Sequence, residues 1–516
     1  MKNALLRPIR TLGVLLALAT APALVIATPS QAEELQGGTM HVGVLADMTN
    51  FDPMQFSTVN FPLIKNLYDS LIEYTPEGEA IPSLATDWTI AEDHMSVSVT
   101  LREGVKFHSG AVLTSADIAA TLAKATDPKK GKNVYSTMAI VKDWTTPDDK
   151  TVVINFKAAT PDRQMLDLLQ FVMPIEAAGI ETVETVPAGT GAYKLDSRAV
   201  GQNIVLTANE DYWRENEPIL GEVRFTIFSD DASASAALES GGLEMVYGGA
   251  ARSAVRLQDA GYQVIRGPGP LVQVFRINAT KAPFDNAKFR QAFNYLLDRE
   301  GILRVGYAGL GEVVALPWAP ASPAFDASYT EKYAFNPDKA RELFTESGLS
   351  KAEMEDWKLL VYGTDAASTT ISQIVQAALA DLDINIELDV REGSEYVEAQ
   401  LSGDYKATFG GVGNVQKFPS RVSTNSIYRT ANNPVLKDPH PFPEYVAAIE
   451  RVNTTLGPDE AVKAAYDHLN QVLVESSFAI PTNSYEIGLI VASPKLSGFT
   501  LDIDNLLVAR TIGFKE

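Results

Sequence analysis

Within residues 357–390 the chain places an apolar strand (357–362), a helix (368–382) and a second strand (384–390) in immediate succession. A crossover of that kind brings its two strands together in parallel, and a parallel sheet needs helices to cover its faces. The fold class read from this unit is α/β. At 516 residues the chain also exceeds the roughly 250–300 at which one apolar core stops growing, so two or more compact domains follow.

The remaining pattern is mixed. Residues 38–44 alternate as an opening strand, and 61–74 carry apolar side chains at helical spacing (Leu63, Ile64, Leu67, Leu71). The texture changes from about 77 to 184. There, 97–101 and 151–156 alternate like half-buried strands, and 114–125 reads as a helix capped by Thr114 or Ser115 with Asp117 in its first turn. Further strands are expected at 204–208 and 222–227, then a helix from Asp231 that stops at Gly241-Gly242. Helices follow at 286–297, 299–307, 337–347, 442–453 and 458–475, with closing strands near 488–492 and 506–512.

The N-terminus speaks to compartment. Lys2, Arg7 and Arg10 precede a mostly apolar run, 12–27, broken by Pro22, and Ser30-Gln31-Ala32 is a small-x-small cleavage signal. Residues 1–32 therefore read as a cleaved secretory signal peptide, with the mature chain starting at Glu33. No cysteine stands there to carry a lipid, so a free periplasmic protein is expected.

Several chemistries are missing. The chain has no cysteine, which removes disulfides, cysteine zinc sites and thiol nucleophiles. Its net charge of −22 disfavours nucleic acid and anionic membranes as partners. A secreted hydrolase is the competing class, yet His-Glu-x-x-His, Gly-x-Ser-x-Gly and Ser-x-x-Lys are all absent. The five histidines (His41, His94, His108, His440, His468) are scattered, so no metal and no cofactor are expected. Gly189 and Gly191 read as a tight turn requiring positive φ. Gly410 to Gly413 follow an apparent strand, 407–409, where bare backbone could approach a ligand.

One stretch is more specific. Leu101-Arg102-Glu103-Gly104-Val105-Lys106-Phe107-His108-Ser109-Gly110, followed by Leu113-Thr114-Ser115-Ala116-Asp117-Ile118, resembles the signature of the family 5 extracytoplasmic solute-binding proteins, the dipeptide, oligopeptide and nickel receptors of ABC importers. Asn50-Phe51-Asp52-Pro53, Tyr68-Asp69-Ser70-Leu71, Pro82 to Trp88, Gly189-Thr190-Gly191-Ala192-Tyr193, Asn209-Glu210-Asp211-Tyr212-Trp213 and Phe289-Arg290-Gln291-Ala292-Phe293 extend the resemblance over nearly the whole mature chain. It implies a two-lobed periplasmic-binding-protein clamp (type II, cluster C-like) with an extra small α/β domain. Lobe I would comprise 33–76, 185–273 and 488–516, the small inserted domain 77–184, and lobe II 274–487. The partners implied are a peptide or other small solute and an inner-membrane permease with cytoplasmic ATPases, the receptor itself being a monomer without catalytic residues. The signature residues Arg102 to Ile118 would serve structure rather than ligand. A periplasmic chaperone or sensor is a third class.

Strand ends in open α/β sheets face the ligand crevice, which nominates Asn50, Phe51 and Phe56, then Tyr247, Gly248 and Gly249, then Gly411, Gly413 and Asn414. Peptide receptors of the family usually carry an acidic residue after the strand corresponding to 407–409. This chain instead offers Lys417 and Arg421, so an anionic or polyhydroxylated solute (an opine, glycoside or organic acid) stands as the alternative ligand, with Trp318 as an aromatic wall.

Overall fold

The structure is a computed structural model that describes residues 37–515 apart from 58, 267–270, 321, 364, 414–418, 424–427, 429–440, 486–488 and 502–506. Thr39–Val44 pairs in parallel with both Glu222–Ile227 and Met245–Tyr247. Around it grows a seven-stranded sheet in the order 263–265, 490–492, 245–247, 39–44, 222–227, 203–208, 193–199. A six-stranded sheet follows the order 312–313, 479–485, 271–277, 407–413, 358–362, 387–391. It contains the crossover expected from sequence: Lys358–Tyr362 and Glu387–Arg391 run parallel, joined through the helix Ala366–Ala380. A third, antiparallel sheet of four strands (85–90, 96–101, 151–156, 141–148) carries the helix Ser115–Ala125, and the helix Asp162–Gln170 packs on the short strand Ile72–Tyr74 beside it.

The six-stranded sheet is buried on both faces. Alternate residues of Leu271–Ile277 leave in opposite directions, so Val272 and Val274 join a core with Trp318, Tyr428 and Tyr445, while Phe275 and Ile277 join another with Phe284, Phe289 and Phe293. This second core also takes in Leu243, Val246 and Leu257 from the side of the seven-stranded sheet. The chain passes between the two large sheets twice, from Gln263–Ile265 into Leu271–Ile277 and from Ala479–Tyr485 into Ile490–Ala492.

The signature stretches meet in one polar network. Asp69 is buried and accepts from Tyr212 Oη (2.8 Å), Trp213 Nε1 (3.0 Å) and Thr190 Oγ1 (2.9 Å). The guanidiniums of Arg102 and Arg214 lie over the Trp213 ring, 4.5 and 4.3 Å from its centroid. His108 bonds the backbone next door: its amide donates to the Gly189 carbonyl, and its Nε2 donates to that of Gly191 at 3.1 Å. Three segments distant in sequence are thereby fastened together at the root of the four-stranded sheet, which is a structural role for Arg102 to His108, as expected.

Three expectations need correction. The helix expected at 61–74 ends at Leu67, because the next residues, Tyr68 to Leu71, turn away to serve this network and the short strand Ile72–Tyr74. Gly189 and Gly191 do not adopt positive φ. They are required by closeness: a Cβ would stand 2.1 Å from the Leu67 carbonyl oxygen at Gly189, and 2.5 Å from that of Asn66 at Gly191. Gly410 to Gly413 do not follow the strand but form its second half, Ala407–Gly413, paired with Leu271–Val274. At Gly411 a Cβ would collide with the Leu271 side chain, so a neighbour in the same sheet accounts for the missing side chain.

Two outcomes follow from the network. Gly191→Ala forces backbone apart rather than a flexible side chain, and is expected to destabilise the protein by at least about 2 kcal/mol in urea unfolding. Burial depresses the His108 imidazole from 6.5 to about 4, so the folded state stays neutral while the unfolded chain takes up a proton. Its stabilising share is complete above pH 6.5 and is lost as pH falls toward 4. His108→Gln should flatten that acid loss, by about 3 kcal/mol at pH 4 relative to the parent, as read from chemical unfolding at stepped pH.

Candidate functional site: the crevice between the two large sheets

Strand register locates the crevice. Val44, Tyr247, Ile490 and Ile265 form one row across the seven-stranded sheet. Leu271, Gly413 and Tyr485 form one row across the other. The two crossings run from Ile265 to Leu271 and from Tyr485 to Ile490, so these rows confront each other across a few residues of chain. Val44 and Tyr247 are the C-terminal ends of parallel strands, the end at which open α/β sheets place ligand.

Tyr247, Gly248 and Gly249 therefore stand on one side and the Gly413 end of its strand on the other. Tyr247 is nearly buried. Gly248 has φ +79°, a left-handed turn that glycine adopts without strain. Asp231, which the sequence reading missed, fixes this turn: it accepts from the Ala250 amide at 2.7 Å and from the Ser253 hydroxyl, bridging the first turns of two helices, Asp231–Glu239 and Ala251–Asp259. Asn414 and Lys417 lie outside the described residues, as does His440.

The segment after the first strand is anchored rather than open. Asn50 is half-buried and its Oδ1 accepts from the Asp52 amide at 2.7 Å. Phe51 is buried in the largest core, and its amide donates to the Glu184 carbonyl. Asp52 is fully buried against Lys124 of the four-stranded unit, at 2.9 Å. The ring of Phe56 packs on Phe61 and Phe171, at 3.9 and 5.8 Å between centroids.

Two aromatic and cationic candidates are placed differently from expectation. Trp318 is fully buried, and its Nε1 donates to Asn470 Oδ1 at 2.6 Å inside the core behind the six-stranded sheet. It offers no open ring face, because it is fully buried in a core shared with Val314 and Leu316 of its own segment and with Leu469 and Leu473 of the helix Asp459–Ser476. Arg421 is 3% exposed and bound to Asp167: Nε donates to both carboxylate oxygens at 2.9 Å, and Nη2 to Oδ1 and to Gln170 Oε1 (3.1 Å). Its guanidinium lies 4.8 Å from the Phe171 centroid. The charge reserved for a ligand carboxylate is already paired. Asp167, Gln170 and Phe171 were missed because they sit some 250 residues away, on an amphipathic helix that gives no sign of its partner. A cavity of about 320 Å3 adjoins the pair, lined from one side by Thr137, Thr160 and Gln164 and from the other by Ser420 and Asn453. Among the described residues no cluster of His, Asp and Glu could hold a metal ion, and no helix is long and apolar enough to cross a membrane.

Residues 79–434 match the model of the bacterial extracellular solute-binding proteins, family 5 (middle). The chain belongs to that family. A Brucella ovis relative named as an ABC transporter peptide-binding protein is 29% identical over 378 residues, 70% of this chain and 69% of the relative. The glutathione-binding protein GsiB of Escherichia coli is 26% identical over 391 residues, 74% of each chain. Among solved structures, NikA from Brucella suis with Fe(III)-EDTA matches at TM-score 0.80 with 22% identity, covering 93% of this chain and 100% of the other. DppA from Helicobacter pylori with the peptide STSA matches at 0.78 with 19% identity, covering 93% and 99%. At those identities they establish the fold: a type II periplasmic binding protein, two α/β lobes in a clamp. Proteins so named are transport receptors.

If Trp318 belongs to the core, Trp318→Phe leaves Asn470 Oδ1 without its buried donor. The variant of this family 5 protein is expected to lose about 1–3 kcal/mol of stability in denaturant unfolding with no change in solute affinity.

Proposed function

We propose that this protein is the solute receptor of an ABC importer, closing its two lobes on a peptide or peptide-like solute and presenting it to an inner-membrane permease driven by cytoplasmic ATPases. The observation that carries the reading is the family match over residues 79–434, joined to curated relatives named for peptide and glutathione binding. The N-terminal leader and the extracellular character of the family support delivery to the periplasm with residues 1–32 removed. The receptor acts as a monomer, and binding without turnover is its whole chemistry.

In this reading lobe I carries the seven-stranded sheet, lobe II the six-stranded sheet and the inserted domain the four-stranded one. Tyr247 and the Gly248-Gly249 turn supply an apolar wall and backbone groups on one side of the crevice. The opposite wall is the Gly411–Gly413 half of its strand, continuing toward Asn414. Of the features that favour an anionic or polyhydroxylated solute, Arg421 is paired with Asp167 and Trp318 is bonded to Asn470 in the core, which leaves the missing family carboxylate, Lys417 lying outside the described residues.

Thermal-shift and calorimetric screening with di- and tripeptides, glutathione, sugars and organic acids tests the proposal. A peptide at one hundred times its Kd is expected to stabilise the protein by about 2.7 kcal/mol. Tyr247→Ala should weaken that peptide at least tenfold when measured where the variant is still fully folded, its ligand-free melting temperature falling as well because a buried ring is removed. Saturable binding confined to sugars or organic acids would remove peptides as the substrate class.

A further inference from the structure

We propose that the Asp167–Arg421 pair is a closure-determining contact of the clamp: a salt bridge made when the two sides of the seam meet, which aligns them as the lobes shut. The inference rests on the clamp reading above and adds to it a residue pair that holds the seam without touching solute.

The pair joins parts of the molecule that no sheet connects. Asp167 sits on the helix Asp162–Gln170, which packs on the short strand Ile72–Tyr74 and shares the largest core with the four-stranded sheet, and Arg421 sits in the turn Pro419–Ser423, which packs on the helix Pro443–Thr454 behind the six-stranded sheet. The alternation along Leu271–Ile277 puts that helix on one face of the sheet, and the core shared with Leu243 and Val246 on the other. On the shared-core side the lobes are joined by apolar packing and by Arg252, which donates to the Val305 carbonyl at 3.1 Å. The opposite side is fastened by a different chemistry, a charged pair with both members 3% exposed.

That chemistry sets the behaviour. A bidentate guanidinium–carboxylate contact has a narrow geometry, and Gln170 Oε1 together with the Phe171 ring leaves the Arg421 plane little choice of orientation. When the seam parts, both charges return to water, so the separated state is not penalised. With one partner removed, the parted seam remains comfortable but the shut seam must bury a charge that has lost its bidentate counter-charge. Loss of either residue is thus expected to act on closure and not on folding. Replacing both by apolar groups of similar size removes the burial cost and permits closure again.

The chain has no native cysteine, so Thr145→Cys on the four-stranded sheet and Ala447→Cys on the helix behind the six-stranded sheet, both exposed, can carry two nitroxide labels. Distances between them are measured by pulsed electron resonance in the full mature chain, with and without an equimolar mixture of di- and tripeptides. The parent should show the short separation of the structure. Asp167→Asn and Arg421→Met should each reduce that population at least fivefold with melting temperature within a few degrees of the parent, and Asp167→Leu combined with Arg421→Met should restore it. Single variants that keep the parental distribution overturn the proposal, as does a parent lacking the short separation in both conditions. Failure of the peptide reading shows separately, as a mixture that shifts neither melting temperature nor distance while the single variants still lose the short separation.

Discussion

The chain's two passages between its large sheets are the constraint on which the rest of the molecule depends. Because Gln263–Ile265 and Ile490–Ala492 lie in the same register as Tyr247, and Leu271 and Tyr485 in the same register as Gly413, the connecting segments leave each sheet at the edge where strands end. Two candidate binding walls, in the proposed reading, are brought opposite each other by strand pairing. Loops then need only furnish the surface, and the cost of positioning them is carried by hydrogen-bonded backbone rather than by side chains in the crevice.

A second division of labour separates the signature from the site. Asp69, Thr190, Tyr212 and Trp213 meet through short hydrogen bonds, with Arg102 and Arg214 over the indole and His108 fixed to the Gly189-Thr190-Gly191 backbone. Burial pushes the Asp69 carboxyl up, against donors from Trp213 and Tyr212 that pull it down. A network of this kind tolerates little change, since every donor lost leaves a dry acceptor. The stretches that carry the family resemblance therefore include those that root the four-stranded sheet to its neighbours.

Much of the architecture was legible because periodicity reports burial. Glu222–Ile227 and Arg299–Gly306 fall where alternation and helical spacing put them, and Gly241 takes the left-handed turn expected after a helix. Where reading failed, the deciding contact was remote. The apolar spacing of 61–74 continues through Leu71, yet the helix stops at Leu67 because Asp69 has partners more than a hundred residues away. Gly189 reads as a positive-φ turn and Gly411 as bare backbone open to a ligand, yet each provides clearance, at the Leu67 carbonyl for Gly189 and at the Leu271 side chain for Gly411. Arg421 looked like an unspent cation, since Asp167 is invisible as its partner until the chain is folded.

The core that holds Phe275 and Ile277 also holds Leu243, Val246, Ala254 and Val491, so it runs unbroken from one large sheet to the other. If the lobes rotate as proposed, this is the side about which they would turn, with apolar side chains on both faces of the pivot. In that case the heat-capacity signature of opening would arise from surface exposed away from this core, and the softness of the clamp would be set by how easily its aliphatic side chains change rotamer.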